Sequence, residues 1–232
     1  MHYSIGISQP RGARWDKEGR KRRMKTGIIF DMDGTLWDSA SQVAAAWSQI
    51  TVPKLGKQVT AQDMYRTMGM PMDELAAAIF PGHTLDELRP VLEESFQLEN
   101  DHLREHGAVL YPRLIETIQQ LSEAYPLYIV SNCQVGYIES FLEHYQLKQY
   151  FEDYICFGTN NRPKGENIAL IIERNHLDRG IYVGDIQADH DAAASGGAEF
   201  IHAAYGFGTV AEDVPKLRAF EELPDLLKQL LS

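Results

Sequence analysis

Short apolar runs at residues 27–32, 127–131, 154–157, 180–184 and 199–203 alternate with segments of helical periodicity. Apolar runs of this length, without polar alternation, read as strands buried on both faces, and such strands belong to a parallel sheet covered by helices. The connecting segments agree. Leu114, Ile118 and Leu121 share one helix face before the second run, and Val135, Ile138, Phe141, Leu142 and Tyr145 share one after it. Ile168, Leu170, Ile171 and Ile172 precede the fourth run. The alternation predicts an α/β fold in three layers, helix, sheet and helix.

One stretch breaks the alternation. Between Ala40 and Val109 there is no strand candidate. Helices are expected over 41–50, 61–68, 72–79 and 85–106, punctuated by Pro53, Gly69, Pro71, Pro81 and Gly82. This is too long for a simple crossover, so it reads as an inserted all-helical cap over residues 41–108. Gly107 and Tyr111-Pro112 mark its return to an α/β core made of residues 24–40 and 109–232.

The chain is 44% hydrophobic, enough for a substantial core. No apolar run approaches the roughly 18 residues of a membrane span, and the start lacks the apolar segment of a secretory signal. With only Cys133 and Cys156, a disulfide framework is not expected, and a reducing cytoplasm is. Charge is uneven. Residues 1–23 carry seven Lys/Arg and only Asp16 and Glu18, a net +5; the whole chain is at −11, so the rest stands at −16. Residues 1–23 are expected to be an unstructured basic leader, and Met24 would serve as a translation start directly before the first strand. An acidic body disfavours nucleic acid as a partner.

Four segments at strand ends carry the chemistry. Asp31-Met32-Asp33-Gly34-Thr35 delivers two carboxylates and a sharp turn to the carboxyl end of the first strand, where ligands bind in open α/β sheets. Two acids and a turn at one point suit a metal and a phosphate. Ser131-Asn132 ends the second strand with a hydroxyl able to donate to a phosphoryl oxygen. Arg162-Pro163-Lys164-Gly165 places a cation at a helix start, and Gly184-Asp185-x-x-x-Asp189 ends a strand in two acids four apart. Taken singly, the last three also suit ordinary turns and helix N-termini.

In this order, over residues 24–232, the set resembles the haloacid dehalogenase superfamily of phosphohydrolases, in particular its phosphoglycolate phosphatase and β-phosphoglucomutase branch. The resemblance implies a Rossmann-like core with a helical cap between the first two motifs. It also implies a Mg²⁺-dependent phosphatase that hydrolyses a small phosphorylated metabolite. Asp31 would be the nucleophile, forming an aspartyl-phosphate, and Asp33 the acid and then the base. Mg²⁺ would be held by the Asp31 carboxylate, the Asp33 main-chain carbonyl and the Asp185 carboxylate, with Asp189 orienting that shell. Thr35, Ser131, Asn132 and Lys164 would contact the phosphoryl group, Lys164 also offsetting the crowded negative charge. Neither a membrane nor a nucleic acid is an expected partner, and the chain would act as a monomer or a homodimer.

The third motif departs from the usual Lys-Pro, because Arg162-Pro163 precedes Lys164. Lys164 is favoured, since it stands six residues before Leu170, a spacing this motif often shows. The His190-Asp191 pair is similar to one found in metal phosphohydrolases of another fold. Those need further histidines at defined positions, which this sequence does not supply, so the pair reads as the first turn of a helix. Cys133 reads as a loop thiol, Trp37 and Trp47 as packing at the cap hinge and in the cap, Asp38 or Ser39 as a helix N-cap, and Gly196-Gly197 as a helix end. Arg66 is a candidate substrate contact or a surface arginine. A β-phosphoglucomutase-type phosphomutase would use the same residues, so it is the first alternative. A 2-haloacid dehalogenase would not need Asp33. A phosphonatase would need a cap lysine, and Lys54 and Lys57 have no recognisable setting. A non-catalytic phosphometabolite-binding module would be expected to have lost one of Asp31, Asp33 and Asp185.

Overall fold

The computed structural model describes residues 14–15, 21–22 and 24–232. Two short strands, β1 (Arg14–Trp15) and β2 (Lys21–Arg22), pair antiparallel; the rest of the expected leader lies outside the described residues. The core strands are β3 (Thr26–Phe30), β6 (Leu127–Ser131), β7 (Phe151–Cys156), β8 (Arg179–Gly184), β9 (Glu199–Ala203) and β10 (Lys216–Leu217). They form one six-stranded parallel sheet in the order β10-β9-β8-β3-β6-β7.

Alternate residues of each strand feed opposite layers. Ile28 and Phe30 of β3 join Ile129, Val183 and Ile201 on one face, while Ile29 joins Tyr128, Val130 and Tyr182 on the other. The first face is covered by α5 (Leu114–Ser122), α6 (Tyr137–His144) and α10 (Leu223–Leu231). The second is covered by α8 (Lys164–Arg174) and α9 (Gln187–Gly196), with Ile168, Ile171 and Ala193 in its core. This is the three-layer arrangement read from the apolar runs. The chain fills β3, β6 and β7 in one direction and then returns to β8 on the other side of β3. The order therefore reverses beside β3, and the carboxyl ends of β3, β6 and β8 open on one crevice.

The helical insertion consists of α1 (Ala40–Leu55), α2 (Ala61–Thr67), α3 (Met72–Ile79) and α4 (Leu85–His106). Capping boxes start two of these helices. Thr60 pairs with Asp63 and Thr84 with Glu87, each hydroxyl accepting from a main-chain N–H while the acid returns the bond. Trp47 of α1 packs on Phe80 and Phe96 inside the insertion. At its root, β4 (Trp37–Asp38) and β5 (Val109–Leu110) form a two-residue antiparallel ladder that ties the outgoing chain to the returning one. Trp37 packs there on Tyr137 and Phe141.

Some expectations are corrected. Pro53 does not end α1 but lies inside its last turn, and Gly56, in the left-handed conformation, closes the helix. The third apolar run begins earlier, at Phe151, and Phe157 opens a short helix, α7 (Phe157–Asn160). The β4–β5 ladder and β10 are two-residue strands, too short to show a period in the sequence. Gly197, with φ of 75°, ends α9 as its sequence suggests.

Candidate active site

Asp31 is the first residue past β3, and its main-chain N–H bonds the Val183 carbonyl of β8. The turn that follows is closed by the Met32 carbonyl, which accepts from the N–H groups of Thr35 and Leu36. Gly34 adopts φ of 81°, and a Cβ there would stand 2.1 Å from an Asp185 oxygen, so only glycine lets the turn approach that carboxylate.

Asp31, Asp185 and Asp189 are all buried, and one carboxylate oxygen from each lies within 4.8 Å of the others. Lys164, the first residue of α8, reaches into this cluster. Its Nζ donates to Asp31 Oδ1 at 2.9 Å and to Asp189 Oδ1 at 2.7 Å. Asp189 Oδ2 accepts from the main-chain N–H of Asp185 at 3.0 Å and of Ile186 at 3.2 Å, so both its oxygens are engaged. Asp185 Oδ2 accepts from the Phe207 N–H at 2.7 Å, and Oδ1 is left outside that bond. Arg162, the other cation of the motif, is exposed. Asn167 accepts from Asn160 and donates to the Arg162 carbonyl, which fixes the loop that delivers Lys164.

Burial pushes Asp31 above the usual carboxylate range; Lys164 pulls it back, and the charge of Asp189 adds to the rise. Asp185 is raised by burial and then by the charges of Asp189 and Asp31. For Lys164, burial favours loss of the proton, but the two carboxylates outweigh it and raise its pKa. Three carboxylates against one ammonium leave two negative charges in a buried, all-oxygen donor set. That is the charge of a dication and the donor type that hard Mg²⁺ prefers, so the residues fit such an ion.

The Asp33 side chain turns away from this cluster. Its Oδ1 accepts from Ser39 Oγ at 2.5 Å and Tyr137 Oη at 2.7 Å, and those hydroxyls stand 2.8 Å apart. Burial raises its pKa, with the Ser39 and Tyr137 bonds opposing. Both donors address one oxygen, which leaves Oδ2 for exchange with a reacting group. Ser39 is the N-cap residue of α1, but its hydroxyl serves Asp33; the Ala40 N–H is instead met by Asp38 Oδ1 at 3.1 Å. Tyr137 has no sequence signal beyond its place in α6, after the Ser131 strand.

Ser131 is buried at the end of β6 and lines a chamber with Asp31 and Asp33. Asn132 donates to the Gly69 carbonyl at 2.9 Å and so joins the core to the α2–α3 loop of the insertion. Thr35 is fully buried, lines neither of the cavities at this end of the sheet, and its hydroxyl has no partner among the described residues. Arg66 stands exposed at the cleft mouth, paired with Asp63 at 2.5 Å. Lys54 pairs with Glu94, Lys57 lies 3.4 Å from Asp63, and neither lines these cavities. His190 lies at the surface with Asp191 and Glu212, and no residue of that group belongs to the Asp31 cluster.

The haloacid dehalogenase-like hydrolase family matches residues 28–203, the span from β3 to the end of β9. The chain belongs to that family. A phosphoglycolate phosphatase of Salmonella typhimurium is 26% identical, covering 88% of this chain and 92% of its own. A phosphoglycolate phosphatase of Vibrio parahaemolyticus is 28% identical, covering 78% and 84%. Among solved structures, a haloacid dehalogenase-like family hydrolase from Streptococcus pneumoniae superposes with a TM-score of 0.70 at 22% identity, covering 87% of this chain and 98% of its own. The chain is thus a haloacid dehalogenase-like hydrolase with phosphoglycolate phosphatase-like relatives, and the helices α1–α4 are its cap. No described helix is long and apolar enough to cross a membrane.

Proposed function

We propose that this hydrolase is a Mg²⁺-dependent phosphatase that cleaves a small phosphorylated metabolite through an aspartyl-phosphate on Asp31. The observation that carries the reading is the division between the two acids of the first motif. Asp31 faces Lys164 and the Asp185–Asp189 pair, whereas Asp33, two residues on, is held by Ser39 and Tyr137 with one oxygen free. Burial raises both acids, but only Asp31 has the Lys164 ammonium directly on its carboxylate to oppose that rise, whereas Asp33 keeps an oxygen free to exchange a proton.

Asp31 and Asp185 would hold the ion, with the Asp33 main-chain carbonyl as a third ligand and Asp189 fixing the Asp185 loop and Lys164. Bound there, Mg²⁺ supplies the positive charge that lets a carboxylate approach a phosphoryl group. The Asp31 carboxylate attacks phosphorus, and the bond to the ester oxygen breaks. Asp33 gives its proton to that leaving oxygen, so the alcohol departs neutral. Asp33, now a carboxylate, takes a proton from a water that attacks the aspartyl-phosphate. Phosphate leaves, and Asp31 and Asp33 return to their starting states. Lys164 and the Ser131 hydroxyl stabilise the charge on the transferring group, the main demand of a loose phosphoryl-transfer transition state.

The test is phosphate release from a panel of phosphomonoesters, with and without Mg²⁺, beside Asp31→Asn. Mg²⁺-dependent release that Asp31→Asn abolishes is expected. Undiminished release by Asp31→Asn would overturn the nucleophile, and isomerisation of a sugar phosphate without release would make the enzyme a mutase.

A further inference from the structure

Beside Asp33 lies a chamber of about 40 Å³, room for roughly three or four small groups. Its floor is Asp31, Asp33 and Ser131, the atoms that would face a phosphoryl group and its ester oxygen. Its walls come from the cap, chiefly Met64, Met68, Met72 and Leu75. The cap also supplies an acid. Glu99 of α4 is buried there and accepts from Trp47 Nε1 at 2.6 Å, with Gln134 also on the chamber lining. Among the described residues, no lysine or arginine lines the chamber. Arg66, at the outer mouth, is exposed and already paired with Asp63.

We propose that this chamber receives the alcohol portion of the substrate, that it selects an uncharged, short and largely aliphatic alcohol whose distal hydroxyl meets Glu99, and that it rejects an alcohol carrying a carboxylate. The inference rests on the phosphatase reading, because Asp33 marks the leaving oxygen and the chamber is what lies beyond it. A carboxylate there would be desolvated among methionine side chains with no cation among the described residues to pair it. It would also point at the Glu99 carboxyl. If Glu99 is ionised, the two repel; if it is protonated, one hydrogen bond replaces a hydration shell. Burial pushes Glu99 up to about 8, against the bonds from Trp47 and Gln134, so near neutral pH it is able to donate to a hydroxyl oxygen as well as accept. Methionines, flexible and polarisable, let the walls follow alcohols of somewhat different shape. The relatives named for phosphoglycolate act on an ester whose alcohol ends in a carboxylate; the chamber of this chain has the opposite polarity.

The discriminating pair is 2-phosphoglycolate and 2-hydroxyethyl phosphate, close in size and different in the charge of the alcohol portion. Acetyl phosphate reports the phosphoryl chemistry alone. The expected result is kcat/KM at least about 10²-fold higher for 2-hydroxyethyl phosphate than for 2-phosphoglycolate, a size typical for one unpaired buried group. Glu99→Gln should narrow that ratio. Equal or better use of 2-phosphoglycolate overturns the proposal. So does turnover of acetyl phosphate, lost in Asp31→Asn, with neither ester cleaved; in both cases the phosphatase reading stands. No Asp31-dependent turnover of any of the three compounds overturns both.

Discussion

Lys164 Nζ lies 2.9 Å from Asp31 Oδ1, and both side chains are almost fully buried. The same ammonium bonds Asp189, so one cation holds together an acid at the end of β3 and an acid in the first turn of α9. Lys164→Met keeps the aliphatic stem and deletes the charge. Removing one partner of a buried ion pair typically costs about 3–5 kcal/mol, because the other charge is left unpaired. Thermal melts should therefore show a clear loss of stability. Phosphate release should fall by about 10²-fold or more, the scale for losing one preorganised charge at a reacting centre. A variant that melts with the parent and keeps activity within about threefold would remove Lys164 from the catalytic group.

Asp33 receives two hydroxyl bonds on a single oxygen, from Ser39 and Tyr137. Each donor orients the carboxyl, so Ser39→Ala and Tyr137→Phe should each lower kcat, by roughly 5–50-fold, with little change in KM. The donors also touch each other, so the double variant should lose less than the two single losses combined. Strict additivity in this cycle would mean that the two hydroxyls act independently and that the triangle has no functional meaning.

The first motif and the alternation of apolar runs make most of this legible. Strands buried on both faces leave long apolar runs, and carboxylates at their ends fall together once the sheet is parallel. Ser39 and Tyr137 are not legible as a pair, because they are 98 residues apart and meet only when α6 packs against the root of the cap. Ser39 also reads as a helix cap, and it occupies that position while its hydroxyl serves another group. Thr35 is not legible from the sequence either. A threonine in the turn suggests a phosphate contact, but only the folded turn shows it fully buried, with a hydroxyl that has no partner among the described residues. Glu99 is one acid among several on an amphipathic helix, and only packing against Trp47 sets it apart.

Gly34→Ala tests how closely the first turn approaches Asp185. The added Cβ would stand 2.1 Å from an Asp185 oxygen, on a backbone with φ of 81°. A positive φ in a non-glycine residue costs about 1–2 kcal/mol before any clash. Relief requires Asp185 to move, and with it the acid group that fits a dication. The expected outcome is a lower melting temperature together with at least tenfold weaker Mg²⁺ binding by calorimetry. Parental Mg²⁺ affinity in a destabilised variant would separate the turn from the metal site.

Glu99 gives a pH dependence of stability whose sign follows from burial. Its pKa rises from the ordinary 4.5 to about 8 in the fold, burial outweighing the bonds from Trp47 and Gln134. Below pH 4.5 the carboxyl is protonated in both folded and unfolded chains, and its full contribution is present. Between 4.5 and 8 the unfolded chain releases the proton and the folded chain retains it. Stability then falls as pH rises, by up to about 1.4 kcal/mol per unit from this one group. Glu99→Gln keeps the shape and cannot ionise. Asp31 and Asp185 titrate in both proteins and largely cancel in the difference. The melting temperature of Glu99→Gln minus that of the parent should therefore be small near pH 5 and grow steadily more positive towards pH 8. A difference that stays flat across that range would show that Glu99 is ionised in the fold, and Glu99 would then act on a substrate as an acceptor only.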